Sequence, residues 1–122
     1  MILVVHDDPI FLEKAREVLN RERQVFLASN ATQAYELART LGFSVALVDL
    51  DLPGDGLELI RKIHGAIPDL PIIAISSTFQ VNELEGAGDV GVVEVLRKPI
   101  TPDWKQIVER IRARRKGTSF GL

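Results

Sequence analysis

Short apolar runs alternate with amphipathic stretches along almost the whole chain. Residues 2–6 begin with Ile2-Leu3-Val4-Val5, and Val25-Phe26-Leu27-Ala28 follows. Residues 45–49 carry Val45-Ala46-Leu47-Val48. Ile72-Ile73-Ala74-Ile75 comes next, and Val92-Val93-Glu94-Val95-Leu96 closes the series. Such short, β-branched runs predict strands buried on both faces. Between them the period changes to that of helices. Phe11, Ala15 and Val18 share one face of a helix predicted from Pro9 to about Arg23, with Asp8 as its N-cap. Asn30 is placed to cap a second helix carrying Ala31, Ala34, Tyr35, Ala38 and Leu41, which Gly42 is expected to end. A third helix follows Gly56 with Ile60, Ile63 and Ile67 inward. Thr101 and Pro102 open a last one, where Trp104, Ile107, Val108 and Ile111 keep the i, i+3, i+4, i+7 spacing. Residues 79–90 occupy the place of one more helix, but Gly86, Gly88 and Gly91 weaken it.

Five strands alternating with five helices imply an α/β domain with a parallel sheet, because crossover helices then cover both faces. Right-handed crossovers narrow the topology further. The expected architecture is a flavodoxin-like (βα)5 three-layer sandwich, its five-stranded sheet in the order 2-1-3-4-5. The switch point falls between strands one and three. That brings Asp7 and Asp8 beside Asp49. Residues 1–116 are expected to form one domain and 117–122 a tail or the start of a linker.

The polar ends of the strands are the candidate chemistry. Asp49 ends the third run and is followed by Leu50-Asp51-Leu52-Pro53-Gly54. The first run ends in His6-Asp7-Asp8 and the fourth in Ser76-Ser77. Open α/β sheets place ligands at this edge, so several carboxylates and a hydroxyl are expected on one rim.

Composition removes alternatives more than it adds any. A chain of 122 residues with 46% hydrophobic content suits one domain. The net charge of −2 gives no case for nucleic-acid binding, and no long basic tract marks a membrane surface. With no cysteine, disulfides and thiol chemistry are excluded. No leader pattern or long apolar span is present, so a soluble, cytoplasmic protein is expected. No Ser-His-Asp or metal-hydrolase constellation is apparent, and only two histidines exist to build one.

His6-Asp7-Asp8-Pro9, Val48-Asp49-Leu50-Asp51-Leu52-Pro53-Gly54, Ile75-Ser76-Ser77 and Arg97-Lys98-Pro99-Ile100 stand in order at strand ends. Together they resemble the receiver domain of two-component response regulators, over Ile2 to about Arg114. The resemblance implies that Asp49 is the phosphoryl acceptor. It implies a Mg²⁺ ion held by Asp7, Asp49 and the main-chain carbonyl of Asp51. Ser76 would contact the phosphoryl oxygens, Lys98 would pair with the acylphosphate, and Pro99 would follow a cis peptide. A carboxylate attacks phosphorus only when the repulsion between anions is neutralised, as Mg²⁺ and a lysine do. Mg²⁺ favours one or two carboxylates plus retained waters. A sensor histidine kinase is the implied donor. An output domain or partner protein would be reached through the face made by residues 79–116, the face that the family uses for output. Beyond self-phosphorylation and autodephosphorylation no enzymatic turnover is implied, and homodimer pairing through that face stays open.

Three departures from the family pattern bear on the site. Receivers usually carry two adjacent acids after strand one; counting back from Pro9, the first position here is His6. An alternative register makes Asp7 and Asp8 the pair, with the strand end shifted by one residue. With His6 in place of an acid, Mg²⁺ binding is expected to be weak and pH-sensitive, since imidazole suits Mg²⁺ poorly. The loop Pro53-Gly54-Asp55-Gly56 is one residue short, which would tilt the Asp51 carbonyl from the metal. Val95 stands where the family often has a ring that swings on activation. His6, Asp8 and Val95 are therefore candidate modulators.

Plainer readings apply nearby. Asp8 serves as an N-cap, Ser77 as a spacer, and the Asp51 side chain faces water. His64 and the cluster Arg110, Arg112, Arg114, Arg115 and Lys116 read as solvated, without nucleic-acid contact. Two functions compete: a phosphoacceptor receiver, and a pseudo-receiver that works as an interaction module without phosphorylation. A flavin site is disfavoured, because the loop after strand one presents carboxylates to a phosphate.

Overall fold

The apolar runs form five strands, β1 (Ile2–Val5), β2 (Val25–Ala28), β3 (Val45–Asp49), β4 (Ile72–Ser76) and β5 (Val92–Arg97). Among the described residues four helices accompany them, α1 (Pro9–Leu19), α2 (Ala31–Thr40), α3 (Gly56–Ala66) and α4 (Trp104–Ser119). The computed structural model describes residues 1–19, 24–52, 56–77 and 91–119, with side chains to Ala113 in α4. The end of the first helix at residues 20–23, the loop residues 53–55 and the glycine-rich stretch to 90 lie outside the described residues.

All pairings are parallel and the order is β2-β1-β3-β4-β5, as expected. The alternating residues of each strand feed two apolar layers. Ile2, Val4, Val45, Leu47, Ile73 and Ile75 pack with α1 and α4, where Phe11, Trp104, Val108 and Ile111 meet them. Leu3, Val5, Ala46, Val48, Ile72 and Ala74 pack under α2 and α3 with Ala34, Ala38, Ile60 and Ile63. Each fully buried Val, Leu or Ile contributes roughly 1.5–3 kcal/mol of transfer free energy, so both faces of the sheet drive folding. Along β5 the register breaks: Ile72 pairs with Val92 and Ile73 with Glu94. Val93 is the extra residue of this bulge and is 48% exposed.

The helix ends differ in places from the sequence reading. Asp8 does cap α1, accepting from Ile10 N–H at 2.9 Å, and Asn30 caps α2, accepting from Gln33 N–H at 2.8 Å. At the other end of α2 the cap is Leu41, extended with φ −116°, and Gly42 supplies no left-handed turn. The only left-handed glycine among the described residues is Gly91, φ 89°, just before β5. A Cβ there would lie 2.5 Å from His64 Nδ1, so the His64 ring packs on Gly91 rather than facing solvent. Ile67 packs on the α2–α3 layer from just beyond the end of α3. The closing helix passes through Gly117 and Thr118 to Ser119, where a tail was expected; residues 120–122 lie outside the described residues.

The basic cluster also needs correction. Arg112 is buried, donating from Nε to Ser44 Oγ at 2.8 Å and from Nη1 to Glu109 at 2.7 Å. Ser44 Oγ in turn donates to the Met1 carbonyl at 3.0 Å. Arg110 is exposed, 4.0 Å from Glu94, and the side chains of Arg114, Arg115 and Lys116 lie outside the described residues.

Candidate functional site

The strand periodicity aims the site. His6 continues the Ile2–Val4 row and Asp49 the Val45–Leu47 row, so both face the α1–α4 layer from adjacent strands. His6 is 5% exposed and Asp49 1%. The imidazole stacks on Phe11, centroids 4.1 Å apart and planes 16° apart, and Phe11 in turn meets Trp104. The α1 helix thus holds the ring in place.

Between the two sequence registers, the structure selects the one that starts at His6. Strand β1 ends at Val5, His6 reaches Asp49, and Asp8 is occupied in capping. Asp7 is half-exposed, with Oδ1 3.4 Å from His6 Nδ1. Ligand atoms of His6, Asp7 and Asp49 all lie within 4.8 Å of one another.

Asp49 is held from several sides. Its Oδ1 accepts from Asp51 N–H at 3.0 Å and lies 3.1 Å from Lys98 Nζ. Lys98 follows β5, where its N–H donates to the Ser76 carbonyl at 2.9 Å and a cis peptide joins it to Pro99. Lys98 Nζ also reaches Asp51 Oδ2 at 3.5 Å and lies 5.9 Å from the Phe11 ring. Asp49 Oδ2 faces His6 Nε2 at 3.3 Å without full hydrogen-bond alignment, and neither atom has another partner among the described residues.

Ser76 is fully buried at the end of β4, one residue beyond the Asp49–Ile75 pair. Ser77, expected to be a spacer, donates to Asp51 Oδ2 from both N–H (3.0 Å) and Oγ (2.8 Å). Asp51 is therefore not a carboxylate left to water. Burial pushes its carboxyl up, but the Ser77 hydrogen bonds and Lys98 outweigh that and hold it below its ordinary 3.8. Burial also pushes His6 below its ordinary 6.5; Asp49 opposes this and Lys98 adds to it. Val95, the remaining candidate, is part-buried against the α2–α3 layer.

Gly56 closes the site from below. A Cβ on it would lie 2.3 Å from the Asp49 carbonyl oxygen, so α3 can begin this close to β3 only with glycine. The sequence placed the helix start correctly, but the contact itself has no one-dimensional signature.

A Mg²⁺ ion asks for near-octahedral oxygen ligands. Asp7 and Asp49 offer two carboxylates. The donor set fails at His6, however. Its Nδ1 accepts the Asp8 N–H at 3.0 Å, so in the neutral ring Nε2 carries the proton. That N–H, and not a lone pair, faces Asp49 Oδ2. The residues present do not fit a Mg²⁺ ion as they stand.

The sequence profile of the response regulator receiver domain matches residues 2–112. The chain is 31% identical, over 92% of its length, to the response regulator MprA of Mycobacterium tuberculosis, of which it covers 49%. It is 30% identical, over 96% of its length, to the uncharacterized transcriptional regulatory protein YkoG of Bacillus subtilis, of which it covers 52%. It therefore spans about half the length of these relatives. A CheY-like response regulator receiver domain protein from Methanospirillum hungatei superposes with a TM-score of 0.85 at 24% identity, covering 99% of this chain and 97% of that one. At that identity the likeness concerns the fold. No described helix is long and apolar enough to cross a membrane.

Proposed function

Because the chain belongs to the response regulator receiver domain family of two-component systems, we propose that Asp49 accepts a phosphoryl group from a sensor histidine kinase. The observation that carries this reading is the Lys98 ammonium 3.1 Å from Asp49 Oδ1 at the rim of the sheet. In the transfer a carboxylate oxygen of Asp49 bonds to phosphorus as the P–N bond to the donor's phosphohistidine breaks. The electron pair leaves on the imidazole nitrogen, which is then protonated from solvent. Lys98 offsets the charge that gathers between carboxylate and phosphoryl group, which is the main demand of such a transfer. Ser76 is the candidate hydroxyl donor to a phosphoryl oxygen. Asp51 works indirectly, its N–H on Asp49 and its carboxylate on Lys98 fixing both partners.

The protein is a stoichiometric acceptor that resets by hydrolysis of its own acylphosphate, without turnover of a substrate. Its signal passes through the face of β5 and α4 to an output domain or partner protein in the cytoplasm. The doubled length of the relatives supports such an output element.

Incubation with acetyl phosphate, followed by intact-mass analysis of wild type and Asp49→Ala, tests the reading. A single phosphoryl adduct is expected in the wild type and none in the variant. An adduct that survives Asp49→Ala would move the acceptor elsewhere. No adduct from acetyl phosphate or from histidine kinases would leave an interaction module that works without phosphorylation.

A further inference from the structure

The donors around Asp49 can be assigned one by one. Asp49 Oδ1 is taken by the Asp51 N–H and the Lys98 ammonium. Asp49 Oδ2 is buried and, among the described residues, meets only the His6 edge, 3.3 Å away. The His6 ring has one free orientation. Its Nδ1 is an acceptor, because the Asp8 backbone N–H donates to it at 3.0 Å and cannot be turned around. A neutral imidazole has one acceptor and one donor nitrogen, so Nε2 is the donor. Turning the ring over would set carbon against both partners, and stacking on Phe11 at 4.1 Å resists any other rotation.

From this geometry we infer that the His6 Nε2–H does the work of a divalent cation at Asp49, holding Oδ2 and keeping Mg²⁺ out of the site. A small tilt of the ring converts the 3.3 Å contact into a hydrogen bond. A cation placed against Oδ2 would instead meet the positive end of an N–H dipole. It would also find one carboxylate fewer than an acid at position 6 would supply, which lowers the attraction at short range. With both oxygens engaged, the carboxylate is oriented by protein groups alone. Asp49 is then set for phosphoryl transfer without metal, a consequence that rests on the acceptor role proposed above.

The test separates the two ideas. Ring ¹⁵N–¹H correlation spectra of the wild type report the His6 tautomer, and Mg²⁺ titration followed by the amide signals of Asp7, Asp49 and Asp51 reports binding. The expected result is an Nε2–H tautomer and no saturable shift through the millimolar range. His6→Asp should bind Mg²⁺ about tenfold or more tightly than the wild type. An Nδ1–H tautomer, or saturable binding by the wild type as tight as in His6→Asp, overturns the inference. If His6→Asp does not fold, the wild-type spectra alone decide. The acetyl phosphate reaction, run with chelator, is read separately. An adduct that forms equally well in chelator supports metal-free transfer, one that requires Mg²⁺ overturns it, and absence of any adduct strikes the acceptor role while the tautomer and titration still judge the site.

Discussion

At Asp51 two opposing effects meet in one carboxylate. Burial disfavours its charge, while the two Ser77 donors and Lys98 favour it, and the second set prevails. A carboxyl held below its ordinary 3.8 contributes stability that is complete above that value and is lost as pH falls through the lower, folded value. Ser77→Ala removes the 2.8 Å Oγ donor but leaves the backbone one. We expect a loss of about 1 kcal/mol at neutral pH, kept small because the group is partly solvated. The difference from wild type should shrink toward zero below the carboxylate range, as read by urea denaturation at several pH values. A loss that did not change with pH would place the role of Ser77 elsewhere. None of this was legible beforehand, since two adjacent serines look alike and only the turn after β4 separates them. The His6 contact was half legible: the missing acid showed, but its tautomer is fixed by the Asp8 N–H, a backbone group that a sequence does not display.

Among the elements, the strands were the easiest to foresee. A strand covered on both faces must be apolar, and β1 to β4 are, save for Asp49 and Ser76 at the ends of β3 and β4. Helix starts were legible where a capping side chain announces them, as at Asp8 and Asn30. The end of α2 was not, because Leu41 stops it in an extended conformation that any residue can adopt. The junction of β3 and α3 depends on Gly56. Gly56→Ala would drive a methyl group into the Asp49 carbonyl, and the backbone there has nowhere to retreat without moving the site. The expected cost is about 1–3 kcal/mol in chemical denaturation, accompanied by shifts in the amide signals of Asp49 and Asp51. An unchanged midpoint would mean that α3 can withdraw freely from β3.

For the molecule as a whole, Arg112 connects what the chain separates. It links α4 through Ser44 to the Met1 carbonyl, and so joins α4, the approach to β3 and the entry to β1. In sequence it sat in a basic run and looked solvated; only the packing of α4 on the sheet shows that its face points inward. Removing it takes a donor from two part-buried partners, Ser44 and Glu109. Arg112→Ala should cost about 2–3 kcal/mol in urea denaturation, and Arg112→Lys less, since the aliphatic stem is kept. Equal losses in the two variants would show that the guanidinium geometry, and not the stem, is what matters.

The irregularity at Val93 bears on how the protein behaves at high concentration. Strand β5 is one of the two outer strands of the sheet, and a regular parallel edge would offer an evenly spaced row of amides and carbonyls to any passing extended chain. The inserted residue breaks that spacing and increases the local twist. A sixth strand from a neighbouring molecule would find its ladder out of step after one pair. The bulge therefore opposes growth of the sheet from molecule to molecule at this edge.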